Sequence, residues 1–280
     1  MKTNYHTHTF FCDGKASAVN YIEEAIGKNF SILGFSAHAP VLFPTSWTLP
    51  LSSVKDYHAE IQHLKENYMD HLEIYCGLEA DFFPDKMEQT RELYSGYSWD
   101  YIIGSIHFIG TYADGTGWCI DGPHDEFLTG WKEIAGNDPL LPIRWYFENT
   151  RNMVRTMKPD IIGHMDKIKI QYRPGCMIPE THPYFKEQVM NTLEEIAASD
   201  CVVEINTRGM QKGNTNDFYP GKWVIKEMYQ MNIPVTISSD AHAAGMLDYG
   251  FDQAVATLKE TGYRTVRIFK NKQWTDIPLL

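Results

Sequence analysis

Histidines and carboxylates recur along this sequence with spacings that would let them bind metal ions together. His6 and His8 are two residues apart, as are Asp240 and His242, so each pair can face one region of space if the chain is extended there. The full set is His6, His8, Asp13, His38, Glu79, His107, His164, Asp240 and His242. Imidazole and carboxylate ligands suit zinc, manganese or iron. Because the set is too large for a single ion, it predicts two or three divalent ions with a bridging carboxylate.

The elements that must position these residues are short apolar runs alternating with helical patterns. Strands are predicted at 2–6, 31–38, 72–79, 101–107, 161–164, 202–206, 235–240 and 265–269. Helices are predicted at 18–28, 54–68, 85–95, 144–157, 182–198, 222–231 and 250–261. This alternation is typical of βαβ units and a parallel sheet, and seven or eight repeats in 280 residues favour an α/β barrel. Strand carboxyl ends share one face of a barrel, so the metal-competent residues would converge there.

Five other histidines have ordinary structural explanations. His58, His63 and His71 lie on or near a polar helix, His124 lies in a loop and His182 begins a helix. A single histidine at a strand end is also more often a hydrogen-bonded core residue than a ligand. The recurrence of histidine at equivalent strand ends is what favours the metal interpretation.

Two connections, 39–53 and 108–143, exceed ordinary loop length. The second is rich in Gly and Asp and contains Trp118. Long loops in compact domains are usually functional lids or binding loops.

The overall composition excludes several classes of protein. The 25 Lys and Arg residues against 36 Asp and Glu give a net charge of −11, with no basic cluster of the kind that nucleic-acid binding requires. The five cysteines form no C-x-x-C pair. No apolar run is long enough to span a membrane and the first residues do not resemble a signal peptide, so a cytoplasmic location without membrane or nucleic-acid partners is expected. No feature indicates an oligomeric state.

The ordered motifs resemble those of the PHP (polymerase and histidinol phosphatase) superfamily over nearly the whole chain. The matching motifs are His6-Thr-His8, Asp13-Gly14, Ser36-Ala-His38, Gly77-Leu-Glu79, Gly104-Ser-Ile-His107, Gly163-His164 and Ser239-Asp240-Ala-His242. Within the superfamily the chain is most similar to the histidinol-phosphate phosphatases. The supporting stretches are 104–108, 118–121, 162–166 and 204–209.

The resemblance implies a distorted (β/α)7 TIM-like barrel over residues 1–280, a single domain with a loop insertion at 108–143. It also implies a trinuclear metal centre. His6, His8, Glu79 and Asp240 would hold the first ion, and Glu79 would bridge to a second ion held by His107 and His164. Asp13, His38 and His242 would hold the third.

Such a centre fits hydrolysis of a small phosphate ester, here L-histidinol phosphate to L-histidinol and phosphate. Bound metal lowers the pKa of water from about 16 to about 7, and a metal-bridging hydroxide would be the nucleophile. The ions would also offset the acidity of the chain locally. Glu79, Asp240 and His242 are therefore the expected catalytic residues, with His242 or a metal-bound water giving a proton to the leaving alkoxide.

Candidate substrate contacts follow from charge. The planar guanidinium of Arg208 suits phosphate, with Arg173 and then Lys212 as weaker candidates. The amine of histidinol phosphate requires a carboxylate, for which Glu204, Asp121 and Asp81 are candidates.

Two alternatives use the same metal site. One is a PHP-type phosphoesterase acting on a phosphotyrosine protein or a nucleotide; the other is a metal-stabilised scaffold without catalysis. The acidic charge disfavours nucleic acid, the long 108–143 segment indicates a closed pocket, and a complete ligand set argues against a scaffold.

Overall fold

Parallel strands and helices alternate through most of the chain, as predicted. The computed structural model describes residues 1–211 and 215–279, so Lys212 lies outside the described residues. The strands are β1 (Thr3–Asn4), β2 (Ile32–His38), β3 (Glu73–Asp81), β4 (Ile102–Ser105), β5 (Phe108–Thr111), β6 (Gly117–Cys119), β7 (Ile161–Ile162), β8 (Val202–Asn206), β9 (Val235–Ser238), β10 (Thr265–Lys270) and β11 (Gln273–Pro278). The helices are α1 (Ala18–Gly27), α2 (Val54–Asn67), α3 (Met87–Glu92), α4 (His124–Glu133), α5 (Leu141–Asn152), α6 (Pro183–Ala197), α7 (Arg208–Gln211), α8 (Lys222–Gln230) and α9 (Phe251–Thr261).

Seven parallel strands form a nearly closed barrel in the order β1-β2-β3-β4-β7-β8-β9. The two edge strands approach each other beyond their ends, where Thr7 and Ala241 form a parallel bridge. There the amide of His8 donates to the carbonyl of Ala241 at 2.9 Å, and the amide of Ala241 donates to the carbonyl of His6 at 3.1 Å. The distorted (β/α)7 barrel expected from the sequence is thereby confirmed.

Tyr101 fills the barrel interior. Its hydroxyl donates to the carbonyls of Tyr5, at 2.5 Å, and Phe35, at 3.2 Å. A Cβ on Gly34 would lie 2.3 Å from that hydroxyl oxygen, and one on Gly77 would lie 2.6 Å from the ring. Glycine at these two strand positions is therefore what makes room for the tyrosine.

The predicted strand at 265–269 does not join the barrel. It forms β10, which pairs with β11 in an antiparallel hairpin. Phe269 and Trp274 of this hairpin pack against Tyr5 and its neighbours inside the barrel, and the Tyr5 hydroxyl donates to the carbonyl of Phe269 at 2.8 Å. The hairpin thus covers the end of the barrel opposite the strand carboxyl ends.

The segment 108–143 is not the irregular loop that its glycines and aspartates suggested. It contains the β5–β6 hairpin, helix α4 and the start of α5. Trp118 is buried and donates from its indole N–H to the carbonyl of Phe127 at 3.1 Å. A Cβ on Gly130 would lie 2.3 Å from the indole, so this glycine lets α4 pack directly on the tryptophan. No helix among the described residues is long and apolar enough to cross a membrane.

Candidate metal centre

The structure brings together all nine metal-competent residues predicted from the sequence. They lie at the carboxyl ends of the barrel strands or in the turns that follow, where barrel enzymes carry their active sites. Seven are buried, whereas Asp13 and His242 are partly exposed and face the opening. The five histidines with ordinary explanations have other surroundings. For example, the imidazole of His58 lies 3.1 Å from the carbonyl of Ser98, and that of His182 accepts from the amide of Tyr184.

Glu79 lies at the centre of the cluster. Its Oε1 is 2.8 Å from Nε2 of His164 and 3.6 Å from Nε2 of His107. Its Oε2 is 3.1 Å from Nε2 of His6 and 2.8 Å from Nδ1 of His38. Nε2 of His8 is also 3.5 Å from Oε2. Each carboxylate oxygen therefore faces a different group of imidazoles, which is the arrangement required of a bridging ligand.

The other two carboxylates extend the cluster towards solvent. Oδ1 of Asp240 is 3.3 Å from Nε2 of His8 and 3.7 Å from Nε2 of His6. Asp13 approaches Nε2 of His242 at 3.1 Å and Nε2 of His38 at 3.6 Å. Ligand atoms from these residues and from Glu79 and His107 fall into three groups in which all lie within 4.8 Å of one another: His8, Asp13, His38 and His242; His6, His8 and Asp240; and His38, Glu79 and His107.

Many of these ligand atoms have no hydrogen-bond partner within the described part of the chain. The set includes Nε2 of His6, His8 and His107, Oε2 of Glu79, and Oδ1 of Asp13 and Asp240. Buried polar atoms left without partners destabilise a fold, and they are rare outside functional sites. Divalent cations would satisfy these atoms, so the residues fit a metal centre.

Electrostatics keep the carboxylates of the cluster ionised. Burial opposes the charge on Glu79, but His6, His38 and His107 outweigh it and hold the pKa of Glu79 well below its usual range. Burial likewise opposes the charge on Asp240, whose pKa is nevertheless lowered well below the usual range, chiefly by Arg208 and then by His6. The ionised form is the one that binds cations.

Three polar residues behind the cluster orient its ligands. Glu204 lies 2.9 Å from Nδ1 of His6, and Asp81 lies 3.2 Å from Nδ1 of His107. The Ser105 hydroxyl donates to Glu79 at 2.7 Å. Hydrogen bonds at Nδ1 leave Nε2 of each imidazole directed into the cluster, which is the usual support of a metal-bound histidine.

The prediction that Glu204 or Asp81 contacts the amine of the substrate is therefore corrected. Glu204 is fully buried and Asp81 nearly so, and both are occupied by the metal-competent histidines. Alternation along the strands directs these carboxylates into the barrel rather than towards a substrate.

Backbone strain is found at two of the cluster residues. His164 has φ +26° and Asp240 has φ +51°, in the left-handed region that residues other than glycine seldom adopt. Such conformations persist where the surroundings enforce them, and they concentrate at functional sites.

A cavity of about 550 Å³ opens beside the cluster and is lined by Asp13, His38 and Arg208. Arg208 donates from Nη1 to the carbonyl of Asp240 at 2.8 Å and contacts Nδ1 of His242. Its side chain is 12% exposed, and its Nε has no hydrogen-bond partner within the described residues. Arg208 is therefore a cation at the edge of the cluster, available to an anion in the cavity.

Arg173 is not at this cavity, so its predicted contact with substrate is corrected. Its guanidinium donates to the carbonyls of Ile170 and Tyr172, and it lines a different cavity with Lys169 and Glu180. The 3₁₀ turn Lys167–Gln171 carries the chain away from the strand end before Arg173 is reached.

Two residues of this site were missed in the sequence. Lys167 is buried, and its ammonium pairs with Asp121 at 2.8 Å. Burial disfavours its charge, but Asp121 and Asp240 outweigh that effect and raise the pKa of Lys167. Trp47 packs edge-on against His38, with ring centroids 4.7 Å apart. The position of Lys167 three residues after His164 was the available signal; nothing distinguished Trp47 from other loop residues.

A nearly closed parallel barrel with a buried group of imidazoles and carboxylates at its carboxyl end defines a metal-dependent barrel enzyme. The model of the PHP domain family matches residues 4–208. The chain therefore belongs to the PHP domain family.

Several related proteins align with nearly the whole chain. It is 29% identical to the "Probable histidinol-phosphatase" of Deinococcus radiodurans, over 93% of this chain and 94% of that protein. It is also 29% identical to the histidinol-phosphatase of Bacillus subtilis, over 90% of this chain and 97% of that one. The structure of histidinol phosphate phosphatase from Lactococcus lactis, complexed with zinc, L-histidinol and phosphate, matches with a TM-score of 0.74 at 21% identity, covering 98% of each chain. That likeness supports the fold.

Proposed function

We propose that this chain is a metal-dependent phosphomonoesterase that hydrolyses L-histidinol phosphate to L-histidinol and phosphate, a step of histidine biosynthesis. The observation that carries the proposal is the convergence of six imidazoles with the carboxylates of Asp13, Glu79 and Asp240, beside a cavity edged by Arg208. The two relatives, which align over almost their full length, are named as a "Probable histidinol-phosphatase" and a "Histidinol-phosphatase".

The residues proposed to hold two or three ions of zinc, manganese or iron are those predicted from the sequence. His6, His8, Glu79 and Asp240 form one set; Glu79 with His107 and His164 forms a second; Asp13, His38 and His242 form the third. The distances around Glu79 and the unpartnered ligand atoms support this assignment. Bound divalent ions lower the pKa of coordinated water and neutralise the charge of a phosphoryl group.

Arg208 and Lys167 are proposed to attract and orient the phosphate. Arg208 borders the cavity and offers a planar guanidinium suited to bidentate binding of phosphate oxygens. Lys167 pairs with Asp121, another residue that lines the cavity, and adds positive charge near it. The two cations would favour a dianionic ester over neutral compounds.

A metal-bound water is the proposed source of the proton for the leaving alkoxide, because His242 is assigned to the third ion and a neutral imidazole held there has no proton to give. His242 is partly exposed at the cavity side of the cluster, and its Nε2 lies 3.1 Å from Asp13. Asp13 thus holds the imidazole in one orientation, and Arg208 contacts its other nitrogen.

The decisive experiment measures kcat/KM for L-histidinol phosphate and for a panel of other phosphate monoesters, with metal content determined in the same preparation. We expect a clear preference for L-histidinol phosphate. Equal or greater activity on phosphotyrosine or a nucleotide would assign the site to another substrate, and bound metal without turnover of any ester would indicate a scaffold.

An arginine variant tests the phosphate contact. Arg208→Ala is expected to raise KM at least about tenfold, because a charged hydrogen-bonding partner of the phosphate is lost. Arg264→Ala is a matched control, since that arginine hydrogen-bonds backbone carbonyls at the far end of α9. Unchanged kinetics of Arg208→Ala would remove this residue from the site.

A further inference from the structure

The cavity beside the metal centre has a second part that the phosphate would not occupy. Its remaining walls come from the two long connections, 39–53 and 108–143, and include Trp47 and Glu126. A phosphate at the cluster would direct its ester group into the space between these walls.

Trp47 belongs to a rigid aromatic wall. Its ring stacks on Phe108, with centroids 5.5 Å apart and planes at 17°. Phe43 meets Phe108 edge-on at 5.0 Å. A Cβ on Gly117 would lie 2.4 Å from Phe108 and 2.8 Å from Phe43, so this glycine of β6 allows the rings to pack against the hairpin. The wall is therefore fixed by the structure before any ligand arrives.

Glu126 places a carboxylate on the other wall, in the first turn of α4. It is exposed, and among residues 1–211 and 215–279 it makes no ion pair. Its Oε2 lies over Gly122, where an added Cβ would approach to 3.3 Å. Asp121, the other acidic residue of this wall, is already paired with Lys167. Glu126 is thus the cavity carboxylate available to a cationic group of a ligand.

We propose that Trp47 and Glu126 form a subsite for the leaving group, in which the indole packs against an aromatic ring and the carboxylate binds an ammonium group. This inference rests on the proposed function, and it identifies the preferred esters as those of amino alcohols that carry an aromatic ring. Neither residue is among the proposed metal ligands, so the subsite would determine specificity while the phosphoryl chemistry would take place at the metal centre.

The charge distribution of the cavity supports this assignment. Arg208, which contacts Asp240 and His242 of the cluster, and Glu126 both line the cavity, so it offers a cation and an anion to a ligand that carries both charges. A charged hydrogen bond contributes more than a neutral one, whereas aromatic packing adds a smaller and less directional term. Glu126 should therefore determine the preference for esters that carry an amine, and Trp47 the preference for esters that carry an aromatic ring.

The test compares three esters on the metal-loaded enzyme: L-histidinol phosphate, imidazolylpropyl phosphate, which lacks the amine, and glycerol phosphate, which lacks both groups. Glu126→Gln is expected to raise KM for L-histidinol phosphate about tenfold and to leave the other two esters unchanged. Trp47→Leu is expected to raise KM for both imidazole esters about threefold to tenfold relative to KM for glycerol phosphate, and this ratio cancels any general effect of the lost contact with His38. Asp125→Asn, in the same helical turn but outside the cavity lining, is the matched control.

Inhibition by L-histidinol gives a second measurement that does not depend on turnover. Its inhibition constant should rise about tenfold in Glu126→Gln and remain unchanged in Asp125→Asn. If wild type prefers L-histidinol phosphate but Glu126→Gln affects all three esters equally, or none of them, the subsite is wrong while the proposed function stands. If wild type shows no preference for L-histidinol phosphate, the proposed function itself fails, and the subsite with it.

Discussion

The carboxylate of Glu204 lies 2.9 Å from Nδ1 of His6, in the interior of the barrel. The same carboxylate accepts the backbone amide of His164 at 2.9 Å and the side-chain amide of Asn206 at 2.8 Å. One buried acid thus positions two residues of the metal cluster. Burial opposes a charge on His6, but Glu204, Glu79 and Asp240 outweigh it and hold the pKa of His6 well above its usual range.

Glu204→Gln should weaken the metal centre without removing any of its ligands. The amide carries no charge to support His6, and such substitutions behind a metal ligand cost about 10–100-fold in metal affinity or activity. Metal content and the metal concentration giving half-maximal activity are the measurements. Glu194→Gln, on the exposed surface of α6, is the control. An unchanged metal dependence would mean that Glu204 serves only packing.

Removal of divalent metal by a chelator should abolish activity and also lower the melting temperature. Without cations, the buried imidazoles and carboxylates of the cluster keep unpartnered atoms. Ligand at 100 times its dissociation constant stabilises a fold by about 2.7 kcal/mol. That corresponds to a fall in Tm of several degrees in a protein of this size. Thermal melting with stepwise return of zinc, manganese or iron is the measurement. Loss of activity with no change in Tm would contradict binding at the buried cluster.

The Lys167–Asp121 ion pair predicts a coupled effect on stability. The lysine side chain is 3% exposed and that of Asp121 is 22% exposed, so Lys167→Met removes a buried charge beside a partly solvated carboxylate and should lower the free energy of unfolding by about 1–3 kcal/mol. The double variant Lys167→Met/Asp121→Asn should recover part of the loss. Denaturant unfolding of wild type, both single variants and the double variant gives the coupling energy. If the stability losses of the two single variants add up to the loss of the double variant, the interaction between the two side chains does not stabilise the fold.

Gly34→Ala tests the packing of Tyr101 in the barrel. The new Cβ would lie 2.3 Å from the tyrosine hydroxyl, which is held by the carbonyls of Tyr5 and Phe35. Overpacking of this kind costs about 1–3 kcal/mol. Gly27→Ala, at the end of α1 with open space around it, is the control and should be close to neutral. Equal stabilities of the two variants, measured by chemical unfolding, would contradict this account of the barrel interior.

Much of the cluster could be predicted because a simple rule of parallel sheets governs it. His38, His107 and Asp240 end or follow separate strands, and those strand ends meet at one face of the barrel. The rule requires only that the strands be recognised, and their apolar runs were clear. It does not give the direction of each side chain, which is why Glu204 and Asp81 were expected at the substrate rather than behind the histidines.

The remaining differences between the predictions and the structure arise from tertiary contacts, which a local sequence pattern does not indicate. Trp118 is buried against α4, and this packing organises the glycine-rich segment 108–143. From the sequence alone, Lys167 resembles an ordinary surface lysine. In the structure it pairs with Asp121, which comes from a distant part of the chain. Strand β10 has the pattern of a barrel strand, but pairing with β11 keeps it outside the barrel.

The proposed ions would also have a structural role, because their ligands lie on both sides of the bridge between Thr7 and Ala241. Ions held by His6 and His8 on one side and by Asp240 and His242 on the other would cross-link two segments at opposite ends of the sequence. Such a cross-link lowers the entropy of the unfolded chain in the way that a disulfide across a long loop does. The amide of His8, which donates across this bridge, should therefore exchange its hydrogen more slowly when the metals are bound.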